Sequence, residues 1–193
     1  MPFFREALGK VSAALSFNAV MKEKENVGGL HGRLFIKAYE GGALVYDYES
    51  PNVIVKSASV LIARLLKDNT EPNAGISYFA VGTGNPVWSL QNPPAPAVTQ
   101  VMLEAELARR ALDPDATHFV DSDGSSTLVA TNIVDFTATF GESEAVGPIV
   151  EMALFGGDAT AALNSGTMLN YRTFPVLNKT ASMTFTVVFR ITC

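Results

Sequence analysis

Cysteine is almost absent from this chain: the single thiol belongs to Cys193, the last residue. One cysteine excludes an internal disulfide and a cysteine-based metal cage, leaving a bond to another subunit or a free thiol. Histidine is nearly as scarce. His31 and His118 have no His, Cys or carboxylate at a helical metal-ligand spacing. Basic residues are few, 14 Lys and Arg against 19 Asp and Glu, for a net charge of −5. With no basic stripe, no nucleic-acid partner held through its phosphates is expected. No run reaches the ~18 consecutive apolar residues of a membrane span, so no membrane partner is expected either. The apolar start, Met1-Pro2-Phe3-Phe4, is interrupted by Glu6 and Lys10 and leads to no convincing small-x-small cleavage site. Nothing in it directs export from the cell where the chain is made.

What the chain does have is apolar residues, 48% of the total against 17% charged, with a positive mean hydropathy. A thick core and apolar surface committed to neighbours are both open explanations. At 193 residues, one domain plus an appendage is expected, able to bury ~70% of its unfolded surface without staples.

In residues 2–16, Phe4, Leu8, Val11 and Leu15 fall on one face of a helix, with Arg5, Glu6, Lys10 and Ser12 off it. The charged run Met21 to Asn26 and the pair Gly28-Gly29 read as a linker, making residues 1–30 an N-terminal arm. From residue 31 the period changes. Arg33–Tyr39 and Leu44–Tyr48 are β-prone runs joined by Glu40-Gly41-Gly42-Ala43, a hairpin signal. Asn52–Val55 is a short strand. Ser57 caps a predicted helix that turns Val60, Leu61, Ile62, Leu65 and Leu66 toward a core.

Ile76–Val81 is a buried strand, followed by a loop holding Pro86, Pro93, Pro94 and Pro96, and Leu103–Leu112 reads as either a short helix or a strand. Thr117–Asp121 and Ser126–Phe140 flank a hairpin at Ser122-Asp123-Gly124-Ser125. Ile149–Phe155 and Thr167–Phe174 are strands, the second closed by Pro175. Met183, Phe185, Val187, Phe189 and Ile191 alternate with Thr184, Thr186, Val188 and Arg190, the clearest strand in the chain. The expected fold is therefore mainly β: an antiparallel, jelly-roll-like β-sandwich over residues 31–193, with one or two short helices and the helical arm.

Gly82-Thr83-Gly84 after a strand invites a nucleotide-binding reading. The fingerprint lacks its third glycine, however, and Asn85-Pro86 stands where a helix should open. A tight corner at Gly82 and Gly84 is the better reading. Asp113, Asp115, Asp121 and Asp123 fall short of a calcium loop because no glutamate closes it and the flanks are strands. Glu104 and Glu106 stand near Arg109 and Arg110, which points to charge pairing rather than acid–base chemistry. There is no Gly-x-Ser-x-Gly elbow. No catalytic constellation, metal site or cofactor is expected. Trp88, in the proline loop with Pro93 and Pro94, is a candidate interface anchor.

Several pieces then line up: Ser50-Pro51-Asn52-Val53-Ile54-Val55 before Ala58–Leu66; Ala80-Val81-Gly82-Thr83-Gly84; and Leu103, Glu104, Glu106 and Arg109. Ala138-Thr139-Phe140, Glu151-Met152-Ala153-Leu154-Phe155, Arg172-Thr173-Phe174 and Lys179-Thr180 follow, before a terminal strand. In this order, over residues 50–191, they resemble a group of tailed-bacteriophage virion structural proteins. The resemblance implies a non-enzymatic virion protein at the neck, collar, tail or fibre attachment, or on the capsid surface. On that reading Glu104, Glu106, Arg109 and Arg172 fix corners or subunit contacts, while Glu151 and Lys179 mark strand boundaries. The expected partners are the chain itself, as a homo-oligomer, and other virion proteins. Expected contacts are Phe4, Leu8, Val11, Leu15, Trp88, Pro93, Pro94 and Cys193. Capsid decoration and carbohydrate binding are the alternatives.

Overall fold

The computed structural model describes residues 29–67 and 75–193; the helical arm expected over residues 2–16 lies outside them. Within this range the chain is mainly β, with one antiparallel sheet of ten strands and a single α-helix among the described residues. The strands are β1 (His31–Glu40), β2 (Ala43–Ile54), β3 (Ile76–Gly82), β4 (Glu106–Ala111) and β5 (Thr117–Val120). They continue with β6 (Ser126–Thr127), β7 (Ile133–Phe140), β8 (Gly147–Gly156), β9 (Thr167–Lys179) and β10 (Met183–Thr192). The helix α1 spans Ser57–Lys67. The strand order is β4-β3-β8-β9-β2-β1-β10-β7-β5-β6.

Strand β2 joins the two halves of this sheet. Its first part pairs with β1, while Val53 and Ile54 pair with Tyr171 and Asn170 of β9. The sheet folds over on itself there. The ring of Phe79 on β3 stacks on Phe189 of β10 at 5.0 Å, and Phe140 of β7 stacks on Phe185 at 4.7 Å. One apolar core is shared by β1, β3, β7, β8, β9 and β10.

Local chemistry accounts for the elements. Gly41 and Gly42 both take positive φ (55° and 82°), which a two-residue hairpin between right-twisted strands requires. On β10 every second residue is buried, the alternation expected of a strand with one face on the core. In α1, Ala58 and Leu61 are buried and the helix packs on β9. Val60 and Leu65 face solvent instead of the core, because a helix lying on a sheet buries one stripe only. The Ser57 hydroxyl donates to the Met168 carbonyl at 2.7 Å, tying the helix start to β9.

Four further sequence boundaries differ. Leu44–Tyr48 and Asn52–Val55 belong largely to one strand, β2, which carries Pro51 within it. Leu103–Leu112 resolves into strand β4. Ser126–Phe140 breaks into β6 and β7, because the Thr131 hydroxyl turns the chain at residues 128–132 by bonding to the Val120 and Ile133 carbonyls. β9 runs through Pro175 to Lys179, since the proline sits in a register irregularity between the Ile149–Leu177 and Glu151–Thr173 pairs. A bulge spares proline the ladder bond it cannot donate.

Candidate functional site

Glu151 lies mid-strand on β8 and is fully buried. It is therefore not a strand-boundary marker as the resemblance implied; it is the hub of the corner at Gly82-Thr83-Gly84. Its Oε1 accepts from the backbone N–H of Gly84 (3.1 Å) and Ala105 (2.9 Å), and its Oε2 from the N–H of Glu104 (3.1 Å) and the Tyr171 hydroxyl (2.7 Å). Four donors occupy the roughly four lone-pair sites of a carboxylate. A buried carboxylate satisfied in this way stabilises its surroundings. Burial, with the neighbouring Glu151 charge, pushes the Tyr171 hydroxyl well above the usual phenol range, so the phenol remains a donor.

Both glycines of the corner are required by space. A Cβ on Gly82 would stand 2.5 Å from Glu151 Oε1 and 2.6 Å from the Ala105 carbonyl oxygen. Gly84 has φ of +70°, and a Cβ there would meet the Trp88 ring and Val150 at 2.7 Å each. The Gly-Thr-Gly motif is thus filled by protein, with the Thr83 N–H bonded to the Ala105 carbonyl at 2.9 Å.

The proline-rich segment that follows lies as a strap across the second half of the sheet. Three bonds pin its backbone: the Thr173 hydroxyl to the Pro94 carbonyl (2.6 Å), the Val176 N–H to Leu90 (2.9 Å) and the Lys56 N–H to Val98 (2.8 Å). Trp88 is half-buried, its ring over Gly84. Pro93 is half-buried and Pro94 is exposed beside its bonded carbonyl. The side chains that the strap turns outward are Val87, 86% exposed, with Leu90, Val101 and Met102. A backbone fixed at both ends and in the middle thus carries four exposed apolar side chains.

Beside the strap, Glu106 and Arg109 form a buried bidentate pair on β4, at 2.6 and 2.9 Å. The Arg109 guanidinium lies over the Tyr78 and Phe155 rings, and its Nη1 donates to the Thr160 and Ser165 carbonyls and to Ser165 Oγ. Glu106 also accepts from the Asn164 N–H at 2.7 Å, so this pair holds the loop of residues 157–166. Arg110 instead pairs with exposed Glu144. The Glu104 side chain accepts from Gln100 at 3.0 Å and from Asn85 at 3.4 Å and makes no ion pair among the described residues, its backbone being the part bound to Glu151. Arg172 has no carboxylate partner among the described residues: Nη2 donates to the Tyr48 hydroxyl at 3.3 Å, while buried Nε and Nη1 have none. Cys193 is exposed with a free thiol, its N–H bonded to the Asn132 carbonyl.

The structure thus brings Gly82, Gly84, Glu104, Glu106 and Arg109 into one region; Arg172 stands between Tyr171 and Thr173 with its side chain on Tyr48 instead, and Cys193 lies beside Asn132. Phe4, Leu8, Val11 and Leu15 lie outside the described residues. Sequence reasoning missed Glu151, Tyr171 and Thr173 as the fixing groups. The signal for Glu151 was there: one acid inside the otherwise apolar run Ile149 to Phe155 has to be partnered if that run is buried. In the Asp113–Asp123 region, the Asp113 and Asp121 side chains accept from nearby backbone N–H groups of their own turns. A shallow cleft of about 170 Å³ separates Arg110–Ala111 from Thr137–Thr139 and assembles no catalytic pair. Among the described residues, no group of three or more His, Cys, Asp or Glu gathers as a metal site, and no helix is long and apolar enough to cross a membrane.

No protein-family model matches the chain, and a search of curated proteins gave no match.

Proposed function

We propose that this chain is a non-enzymatic structural subunit of a tailed-bacteriophage virion, one that self-associates and attaches at the neck, collar or tail. The doubled sheet is read here as an antiparallel sandwich of jelly-roll-like kind, serving as a rigid block. The observation that carries the reading is the strap: four exposed apolar side chains, Val87, Leu90, Val101 and Met102, on a backbone held by β9, Lys56 and the Glu151 corner. Exposed apolar side chains on a fixed scaffold suit a contact surface, because little ordering entropy remains to be lost on binding. The buried carboxylates nearby, Glu106 and Glu151, are committed to internal bonds, which favours a structural role over acid–base work. A repeated subunit with one such surface and a complementary patch elsewhere closes into a ring when the rotation between copies allows it. The other virion proteins are its remaining partners, and the virion its location.

Counting copies per particle in purified virions tests this. A number on the order of a dozen, set by an axial ring, is expected; hundreds would move the protein to capsid decoration. Absence from virions would overturn the reading. Carbohydrate binding is the weaker alternative, since Trp88, the one tryptophan, already rests on Gly84.

A further inference from the structure

Buried polar side-chain atoms without a partner are few in this protein, and they are not scattered. Of the six among the described residues, five belong to Asn52, Asn170 and Arg172. They are Asn52 Oδ1 and Nδ2, Asn170 Nδ2, and Arg172 Nε and Nη1. All three residues sit where β2 leaves β1 and meets β9. The ladder there is two pairs long, Val53–Tyr171 and Ile54–Asn170. Asn52 and Arg172 are the next residues on the two strands, just past its end. By contrast, β1 and β10 pair without interruption from His31–Thr192 to Glu40–Met183.

The surroundings show why these atoms stay unpaired. Asn52 is fully buried, its amide lying over Gly32, which has no side chain to offer. Exchanging the amide nitrogen and oxygen changes nothing, because neither has a partner. Asn170 is fully buried as well and uses only its oxygen, which accepts from the Leu154 N–H at 2.9 Å. Arg109 and Arg190 each direct Nε and Nη2 at one carboxylate. Arg172 has only the Tyr48 hydroxyl, 3.3 Å from Nη2. Closing this junction takes five polar atoms out of water without returning their hydrogen bonds, a cost concentrated at one short ladder.

We infer that the β2–β9 junction is a joint: it opens locally and admits water to Asn52, Asn170 and Arg172 while the long ladders beside it stay paired. Opening restores the hydration of those atoms, so it costs less here than elsewhere in the sheet. Little has to break: the two ladder pairs and the bond from the Val55 N–H to the Leu169 carbonyl, at 3.1 Å. The neighbouring strands keep their other partners, β2 and β10 for β1, and β8 for β9. The joint lies between the strap-bearing half of the sheet and the other half, and it does not rest on the virion reading.

Hydrogen–deuterium exchange on the full chain, read at several urea concentrations below the unfolding transition, tests it. In the wild type, peptides covering residues 52–56 and 169–172 should exchange about tenfold or more faster than those covering 34–38 and 185–190. Their rates should also change little with urea, the mark of an opening that exposes little surface. Asn52→Leu, close in shape and without polar atoms, should slow exchange at the junction about tenfold and raise the urea midpoint. Arg172→Met should act in the same direction. Junction peptides that exchange at the rate and with the urea dependence of residues 185–190 would overturn the inference, whether or not either variant folds. A folded Asn52→Leu protein whose junction exchanges as fast as the wild type, or faster, would overturn it too.

Discussion

In the half of the sheet built on β1, β10 and β7, one face packs on the core and the other meets water. In the half built on β3, β8 and β9, both faces are covered. The first half shows the consequence on its outer face: Arg33 pairs with Glu49, Lys37 with Asp47, and Arg190 with Asp135 while lying over Phe35. The Arg33–Glu49 and Lys37–Asp47 pairs lie in solvent, where each contributes little, while Arg190 and Asp135 form a partly shielded bidentate pair. The second half is sealed by an additional cluster including Val55, Leu103, Phe155 and Tyr171, under the strap and the loop of residues 157–166. Its carboxylates Glu106 and Glu151 are inside and bonded on both oxygens, while Arg172 keeps buried Nε and Nη1 unbonded. Similar residue types thus carry very different energetic weight in the two halves, and loops can be held rigid only where the bonds holding them are dry.

The largest test of that contrast is Glu151→Ala. It strands three backbone N–H groups and the Tyr171 hydroxyl without water, and should cost about 4 kcal/mol or more, read as a lower urea midpoint. It should also free the strap to proteolysis between Asn85 and Met102. A loss under ~1 kcal/mol would mean that the buried carboxylate is not what holds the corner.

Gly84→Ala comes next. With φ of +70° and Trp88 and Val150 in the way, it should cost about 1–3 kcal/mol and move the Trp88 fluorescence. An unchanged midpoint and spectrum would remove the strain argument.

Tyr171 sharpens the contrast through pH. Its ordinary value is 10.0 and folding raises it, with burial as the largest cause. Above about pH 10 the unfolded chain releases this proton while the folded chain keeps it, so the native state binds more protons and stability falls as pH rises. Tyr46 is raised in the same sense, again first by burial. Tyr171→Phe should lose about 1–2 kcal/mol near neutral pH through the missing bond to Glu151, yet show a shallower decline toward about pH 11. Parallel declines in wild type and variant would contradict this.

The smallest effect should come from the solvated half. Arg33→Ala breaks an exposed pair with Glu49 and should shift stability by less than ~1 kcal/mol, and less still in high salt. A cost near that of Glu151→Ala would erase the difference between the halves.

The same asymmetry decides what could be read in advance. β10 and the Gly41-Gly42 hairpin were legible because one-sided burial writes period two into the sequence and a tight hairpin demands glycine. The two-sided strands were legible as apolar runs but not in their extent, since nothing local showed that β9 would continue past Pro175 or that β2 would span both halves. The corner glycines stood out by type. Their partner Glu151 lies 67 residues from Gly84, and such pairing depends on the sheet order rather than on any spacing. The strap's prolines announced an extended segment, but its anchors on Thr173, Val176 and Lys56 arise only once β9 runs beneath it.

The most direct test of the account is sedimentation velocity over a concentration series, comparing the full chain with a Val87→Asp, Val101→Asp double variant. A discrete closed oligomer is predicted for the wild type, dissociated in the variant with its unfolding midpoint unchanged. A wild type that remains monomeric at every concentration, indistinguishable from the variant, would contradict the claim that the clamped strap is an assembly surface.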